Sequence, residues 1–301
     1  MALNWYNVKK WFNMLRGKSI QHVNQGIGTC FSSKEIKGYY NDLTEKVSDL
    51  QLLDEVGIPL FEAENKKVIY FPIMIFQYGL GAYDLYLKTA DKTMLDKTLN
   101  CAEWALNSQE ETGGWRNFEN EFPNNPYSSM AQGEGVSLLL RAYVETNDDK
   151  FKQGAIKAVD FMIKDLAEGG TARYDGDDVY FHEFTHLSTV LNGWIFTLFG
   201  LFDYLLIVDD DKVKNIYQAS VLTLEKSLYS YDVKYWSNYN LSGSITSPFY
   251  HRLHVAQLKA MYEITGNDSF LNYSNKWDKY QKNFFNKTRA FIKKAWQKVF
   301  E

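Results

Sequence analysis

Four short polar breaks divide most of this chain into segments of nearly equal length: "LKTADKTML" around Asp91, "VETNDDKF" around Asp148, "LIVDDDKV" around Asp210 and "EITGNDSF" around Asp268. They lie 57, 62 and 58 residues apart. Each break separates two helical patterns, as in "PIMIFQYGLGAYDLYLKT" followed by "KTMLDKTLNCAEWALNSQE". Asx residues among small neighbours make the short turn and cap the second helix. The repeating unit is therefore an antiparallel helix hairpin, which must stack on copies of itself to bury its apolar face.

Within each unit the first helix is apolar and contains glycine, whereas the second is amphipathic, as Lys157, Asp160, Lys164 and Asp165 show. That asymmetry predicts an inner and an outer layer, hence an all-α chain folded as a closed or incomplete α/α toroid. Open solenoids of the tetratricopeptide or HEAT kind have shorter periods, about 34–47 residues. Long loops rich in Gly, Asn, Asp and aromatics precede the inner helices: "EETGGWRNFENEFPNNPY", "EGGTARYDGDDVYFHEFTHLS" and "YDVKYWSNYNLSGSITSPFY". Such loops on one face of a rigid scaffold are where a site is built. The expected division is a basic amphipathic helix at 1–19, a small extended and β-containing lead-in at 20–70, and the toroid at 71–301.

Composition narrows the function. With 45% apolar residues there is material for a sizeable core, and a formal net charge of −4 gives no case for a nucleic-acid partner. Positive charge is concentrated at the two ends, in "WYNVKKWFNMLRGK" and "TRAFIKKAWQKVF". Either these helices dock on the toroid, or they form an amphipathic contact with an anionic membrane surface. Two cysteines, Cys30 and Cys101, fit neither a disulfide framework nor a metal pattern, so a reducing compartment is expected. Even "VLNGWIFTLFGLFDYLLIV" is interrupted by Asn192 and Asp203, which argues against a membrane span. The expected location is the cytoplasm, with a peripheral contact at the inner membrane face left open, as is oligomerisation.

Three stretches could carry chemistry. "HEFTH", with His182, Glu183 and His186, has the spacing of a zinc protease motif, but that motif needs a helix and this segment reads as an extended loop. "PFYHRLHVAQL" brings Tyr250, His251, Arg252 and His254 to an inner-helix start; it suits either a proton-transfer site or capping and packing. "PYSSMAQGEG" places Gln132 and Glu134 at the head of another inner helix. Aromatics in or near the loops, among them Tyr78, Trp115, Tyr127 and Tyr239, suit sugar stacking as well as core packing. No phosphate loop, dinucleotide fingerprint or nucleophile elbow occurs, so no cofactor and no metal are expected.

"YFPIMIFQYGL", "GGW", "YSSMAQGEGVSLLLRAY", "VLNGW" and "YHRLHVAQL", in this order between about residues 70 and 285, resemble the C-terminal toroid of the D-glucuronyl C5-epimerases. The resemblance implies cofactor-independent conversion of D-glucuronic to L-iduronic acid in an acidic polysaccharide such as heparosan. It implies catalytic roles for Glu183, Tyr239 and Tyr250; on physical grounds a tyrosine can move the proton if its phenol is partly ionised by its neighbours, and the glutamate can relay or orient. From the residues themselves, substrate contact is expected at Tyr78, Trp115, Tyr127, Gln132 and Glu134, and at His182, Asn192, His251, Arg252 and His254. The chain departs from the family pattern at Phe184, where a tyrosine usually follows the catalytic glutamate, and in "YNLSG", which lacks the arginine expected after Tyr239. A polysaccharide lyase or glycoside hydrolase on uronate polymers, or a non-catalytic glycan-binding paralogue, stays open.

Overall fold

Each of the four breaks becomes a helix junction. The computed structural model describes residues 23–48, 52–63 and 66–300, and the basic segment expected at 1–19 lies outside them. The hairpins are α1 (Pro72–Thr89) with α2 (Lys92–Ser108), α3 (Ser129–Thr146) with α4 (Asp149–Met162), α5 (Leu191–Ile207) with α6 (Asp211–Tyr231), and α7 (Pro248–Thr265) with α8 (Asp268–Lys282). Asp91, Asp148 and Asp210 are N-caps, their carboxylates accepting from the backbone N–H groups of Thr93, Lys150 and Val213. At the fourth junction Asn267 is the cap, and Asp268 opens the helix one residue later. Two of the first helices end on a left-handed non-glycine residue, Ala90 or Asn147, whose N–H closes the last turn.

The expected layering is present. The inner helices α1, α3, α5 and α7 pack side by side, and each packs against its outer partner. Every residue of α3 from Ser129 to Ala142 is buried, whereas α2 buries only the stripe Thr98, Cys101, Ala102 and Ala105. The described residues form an α/α toroid of four hairpins.

The closest inner contact explains two glycines. A Cβ at Gly200 of α5 would lie 2.4 Å from the carbonyl oxygen of Gly133 on α3, and one at Gly133 would lie 2.7 Å from the Phe196 carbonyl oxygen. Two backbones meet with no room for a methyl group. Gly200→Ala is therefore expected to lower unfolding free energy by about 1–3 kcal/mol, measured by urea denaturation.

The lead-in does more than precede the toroid. β1 (Leu52–Leu53), β2 (Pro59–Glu62) and β3 (Val68–Ile69) form a small antiparallel sheet with Leu52 opposite Leu60 and Phe61 opposite Ile69. Upstream, residues 36–43 enter the core, where Tyr39, Tyr40 and Leu43 are buried. Tyr40 stacks on Phe199 at 4.5 Å and donates to Asp203 at 2.6 Å, and the N–H of Tyr39 donates to Asp84 at 2.8 Å. Arg141 donates to Asp203 at 2.7 Å, to the Gly38 carbonyl at 2.9 Å and to the Ser137 carbonyl at 2.8 Å. Asp84, Arg141 and Asp203 lie in the C-terminal halves of α1, α3 and α5. This segment therefore plugs that end of the toroid and leaves the N-terminal ends of the inner helices to the loops.

One basic terminal segment is described, as α9 (Phe284–Phe300). One side of it docks: Ala290 is buried, Arg289 lies over the Tyr235 ring at 3.9 Å, and the Gln297 side chain joins the Ile245 N–H and the Gly243 carbonyl. Phe285 and Ile292 are exposed. Among the described residues, no helix is long and apolar enough to cross a membrane.

Candidate active site

Each site-bearing loop is held by a helix start that it caps. The loop after β5 (Asp178–Phe181) is pinned through the His182 carbonyl, which accepts the N–H of Ser129 at the start of α3. The loop between α6 and α7 is pinned through the Tyr239 carbonyl, which accepts the N–H of Leu191 at 3.0 Å. Val190 gives α5 no side-chain cap, so the neighbouring loop supplies the missing acceptor. These two bonds fix the backbones on either side of Glu183 and Tyr239.

Glu183 is buried, with 7% of its surface exposed. Its Oε2 accepts from the Asn192 amide at 3.4 Å, and the Asn192 carbonyl accepts from Gln257 at 3.1 Å. Burial pushes the Glu183 carboxyl up to about 8, against a smaller downward pull from the Asn192 amide. The carboxyl lies directly over Gly193, where an added Cβ would come within 2.6 Å of both its Cβ and its Oε2. Gly193→Ala should displace Glu183 and lower turnover by about tenfold or more while the protein stays folded, as read by steady-state kinetics beside circular dichroism.

Tyr239 and Tyr250 meet edge to face, ring centroids 5.0 Å apart, and their hydroxyls share a hydrogen bond. Burial raises both phenols well above their ordinary range, and the charge of Glu183 raises them further. The expectation of a partly ionised phenol is thus corrected: both are protonated at rest, because desolvation and a neighbouring carboxylate disfavour a phenolate. Glu134 stands in the same interior. It is completely buried, accepts from Gln77 at 2.9 Å, and senses the Glu183 charge. A neutral acid pair beside buried carboxyls has the groups needed to transfer protons to and from a carbon acid.

Other sequence candidates lie elsewhere. Gln132 sits about 200° around α3 from Glu134, so the two cannot share a face. Trp115 is in the core, its indole N–H on the Ala105 carbonyl and its ring against Phe76. Tyr78 is buried, with Lys97 of α2 over its ring. Tyr127 stands at the rim, donating to Glu110 at 2.7 Å beneath Arg116. Arg252 is half-buried on α7, where desolvation pulls its guanidinium below the usual value.

The histidines are structural in their contacts. His182 is buried, its ring bound to the Leu187 carbonyl and the Thr189 hydroxyl. His186 packs on Phe122, and no helix spans "HEFTH". His251 stacks on Trp236 at 3.8 Å and meets the Trp277 carbonyl through Nε2, which makes Nδ1 an acceptor for Ser237. His254 bonds the same Ser237 hydroxyl at 3.1 Å. Burial drives His251 down to about 3 and His254 well below its ordinary value, so both stay neutral. Their shared serine lies two residues before Tyr239 and anchors its loop. Among the described residues, no group of three His, Cys, Asp or Glu side chains is arranged to hold a metal ion.

The structure also adds residues. Gln77 and Gln257, which carry no mark in the sequence beyond an amide on an apolar helix, join Glu134 and Asn192. Phe184 stacks on Phe118 at 4.5 Å and meets Phe122 edge on, so the ring after Glu183 packs its loop against the one that follows α2. A β-hairpin of β4 (Ala172–Asp175) and β5 lies where an extended loop is expected. The Gly-Asp pair in "ARYDGDDVYF", Gly176 at φ 60° followed by Asp177, is the two-residue turn signal for it.

The sequence model for the D-glucuronyl C5-epimerase C-terminus matches residues 109–279, more than half of the chain. The chain belongs to this family. Within the family it is similar to the D-glucuronyl C5-epimerase of Caenorhabditis elegans, 28% identical over 205 residues that make up 58% of this chain and 33% of that protein. It is also similar to an uncharacterized protein of Methanocaldococcus jannaschii, 24% identical over 212 residues, 66% of this chain and 65% of that one. The chain thus spans a third of the first relative and just under two thirds of the second. Among solved structures, cellobiose 2-epimerase from Spirochaeta thermophila superposes with a TM-score of 0.52 at 8% identity, covering 78% of this chain and 65% of that one. At that identity the likeness is one of fold, and the toroid of this family member is the feature it shares.

Proposed function

We propose that this chain is a cofactor-independent uronate C5-epimerase converting D-glucuronic to L-iduronic acid residues in a heparosan-like polysaccharide. The observation that carries the reading is the meeting of Glu183 with the Tyr239–Tyr250 pair at the loop-bearing end of the toroid. Membership of the family supports it.

The C5 proton lies next to a carboxylate, so its removal leaves an electron pair delocalised into an already anionic group. In the proposed step ionised Glu183 takes that proton on one ring face. The Tyr250 hydroxyl delivers its own proton to C5 from the other face, and the electron pair returns to form the new C–H bond. The phenolate left behind is reprotonated through the Tyr239 hydrogen bond, and Glu183 releases its proton to complete the cycle. Raised phenols suit an acid that gives up its proton only to a strongly basic carbanion.

The test is deuterium incorporation at C5 when unsulfated heparosan is incubated in D2O buffer and followed by NMR. Exchange is expected; its absence with every uronate polymer tried overturns the reading. An unsaturated uronate chromophore in the same incubation would instead indicate a lyase. Polymer binding that survives Tyr250→Phe without exchange or cleavage would indicate a glycan-binding paralogue. The proposal extends to location: basic α9 suits a peripheral contact with anionic lipid, and flotation on anionic liposomes should weaken when Lys287, Lys293 and Lys298 are replaced by glutamine.

A further inference from the structure

We propose that Glu134 is a further catalytic residue, a neutral carboxylic acid whose Oε2–H donates a hydrogen bond to the carboxylate of the bound uronate. The assignment rests on the epimerase reading for its substrate, and it concerns the charge that the proton-transfer residues do not handle. Abstraction of the C5 proton loads the uronate carboxylate with further negative charge, and a donor aimed at it is the most direct stabiliser.

Glu134 has the geometry of such a donor. Its Oε1 is tied to the Gln77 amide at 2.9 Å, which fixes the plane of the carboxyl and makes Oε1 the accepting oxygen. Its Oε2 is buried and has no hydrogen-bond partner among the described residues. An ionised carboxylate left in that position would be costly to bury, so the proton belongs on Oε2, as a donor without an acceptor. Asn192 Oδ1 and Gln257 Oε1 are likewise buried and unpartnered. Those two acceptors, from α5 and α7, suit sugar hydroxyls; the Glu134 donor, from α3, suits the carboxylate.

The surroundings favour the neutral form. Burial raises the Glu134 carboxyl to about 8, and the Glu183 charge adds to the rise; the Gln77 amide and the charge of Lys46 pull the other way. Tyr39, at the plug, senses Glu134 as well and is itself raised by burial. Arg141 lies about two turns further along α3 but is committed to Asp203, Ser137 and Gly38. Two carboxyls thus share one interior with divided roles: Glu183 must lose its proton to act as base, and Glu134 must keep its own.

The test measures binding in a Glu183→Gln background, which halts turnover and removes the other carboxyl. The probes are an unsulfated heparosan oligosaccharide and the same oligosaccharide with its carboxyls reduced, compared by isothermal titration calorimetry. Preference for the native form is expected to fall about tenfold between about pH 6 and about pH 9 as Glu134 ionises against the substrate anion. Adding Glu134→Gln, whose amide donates as the neutral acid does, should keep the preference and remove its pH dependence. Adding Glu134→Leu should abolish the preference, with circular dichroism confirming the fold. Preference that persists in the leucine variant, pH dependence unchanged by glutamine, or no preference at all overturns the assignment. If binding follows Glu134 as stated while wild-type protein shows no C5 exchange in D2O, the epimerase reading falls and the carboxylate contact stands.

Discussion

Glu183→Gln is expected to lower C5 exchange by about 10²–10⁴-fold, the usual loss when a general base is removed, and at the same time to stabilise the protein at neutral pH. The two effects have one cause. Glu183 is buried with only a long amide contact, so its carboxyl is raised to about 8. For the reaction Glu183 must be ionised while Glu134 keeps its proton, and both carboxyls are raised to about 8, so kcat/KM of the wild type should pass through a maximum in that region. For the fold the sign is opposite. A carboxyl raised in the folded state carries no penalty below its unfolded value, near pH 4.5, and destabilises the fold progressively from there up to about pH 8. At pH 7 that cost is at most about 3.4 kcal/mol. Glutamine removes it, and the thermal midpoint at pH 7 should rise by several degrees, with a flatter dependence on pH. Unchanged exchange, or a variant less stable than wild type at pH 7, would exclude Glu183 as a buried base.

The largest loss of stability is expected at the closed end. Arg141 and Asp203 form a fully buried pair at 2.7 Å, and Asp203 also accepts from Tyr40. Arg141→Met leaves Asp203 buried without its counter-charge and frees the Gly38 and Ser137 carbonyls. A loss of about 3–5 kcal/mol is expected by urea denaturation. Because Arg141 bonds Gly38, the amides of residues 36–43 should also exchange with solvent faster. Replacing both partners, as Arg141→Met with Asp203→Leu, should restore most of the loss, since two apolar side chains leave no buried charge. If the single variant is as stable as wild type, the plug does not depend on this pair.

Much of this architecture is legible because it is written in local periods. An i, i+3, i+4 stripe and an Asx cap act within one or two turns, so "DKTML" and "DDKV" declare their helices without any distant partner. The plug is less legible: "EIKGYYNDL" has no period of its own, and its two tyrosines are buried only because three inner helices surround them. The candidate site divides in the same way. Helical phase already separates Gln132 from Glu134, although their shared motif makes them look like a pair. Nothing local distinguishes the histidines of "YHRLH" from ligands or proton carriers. Their role follows from Ser237, Trp236 and Trp277, which reach them from another loop and another helix.

Sequence alone determined the four hairpins, the inner and outer layers and the family, because each rests on residues near one another in the chain. Tertiary structure alone decided which polar residues share the interior and in what protonation state. Glu134, Glu183 and the two tyrosines come from an inner helix, two loops and another helix start. Their proton affinities are set by the water they lose and the charges they meet, and neither exists until the toroid has closed around them.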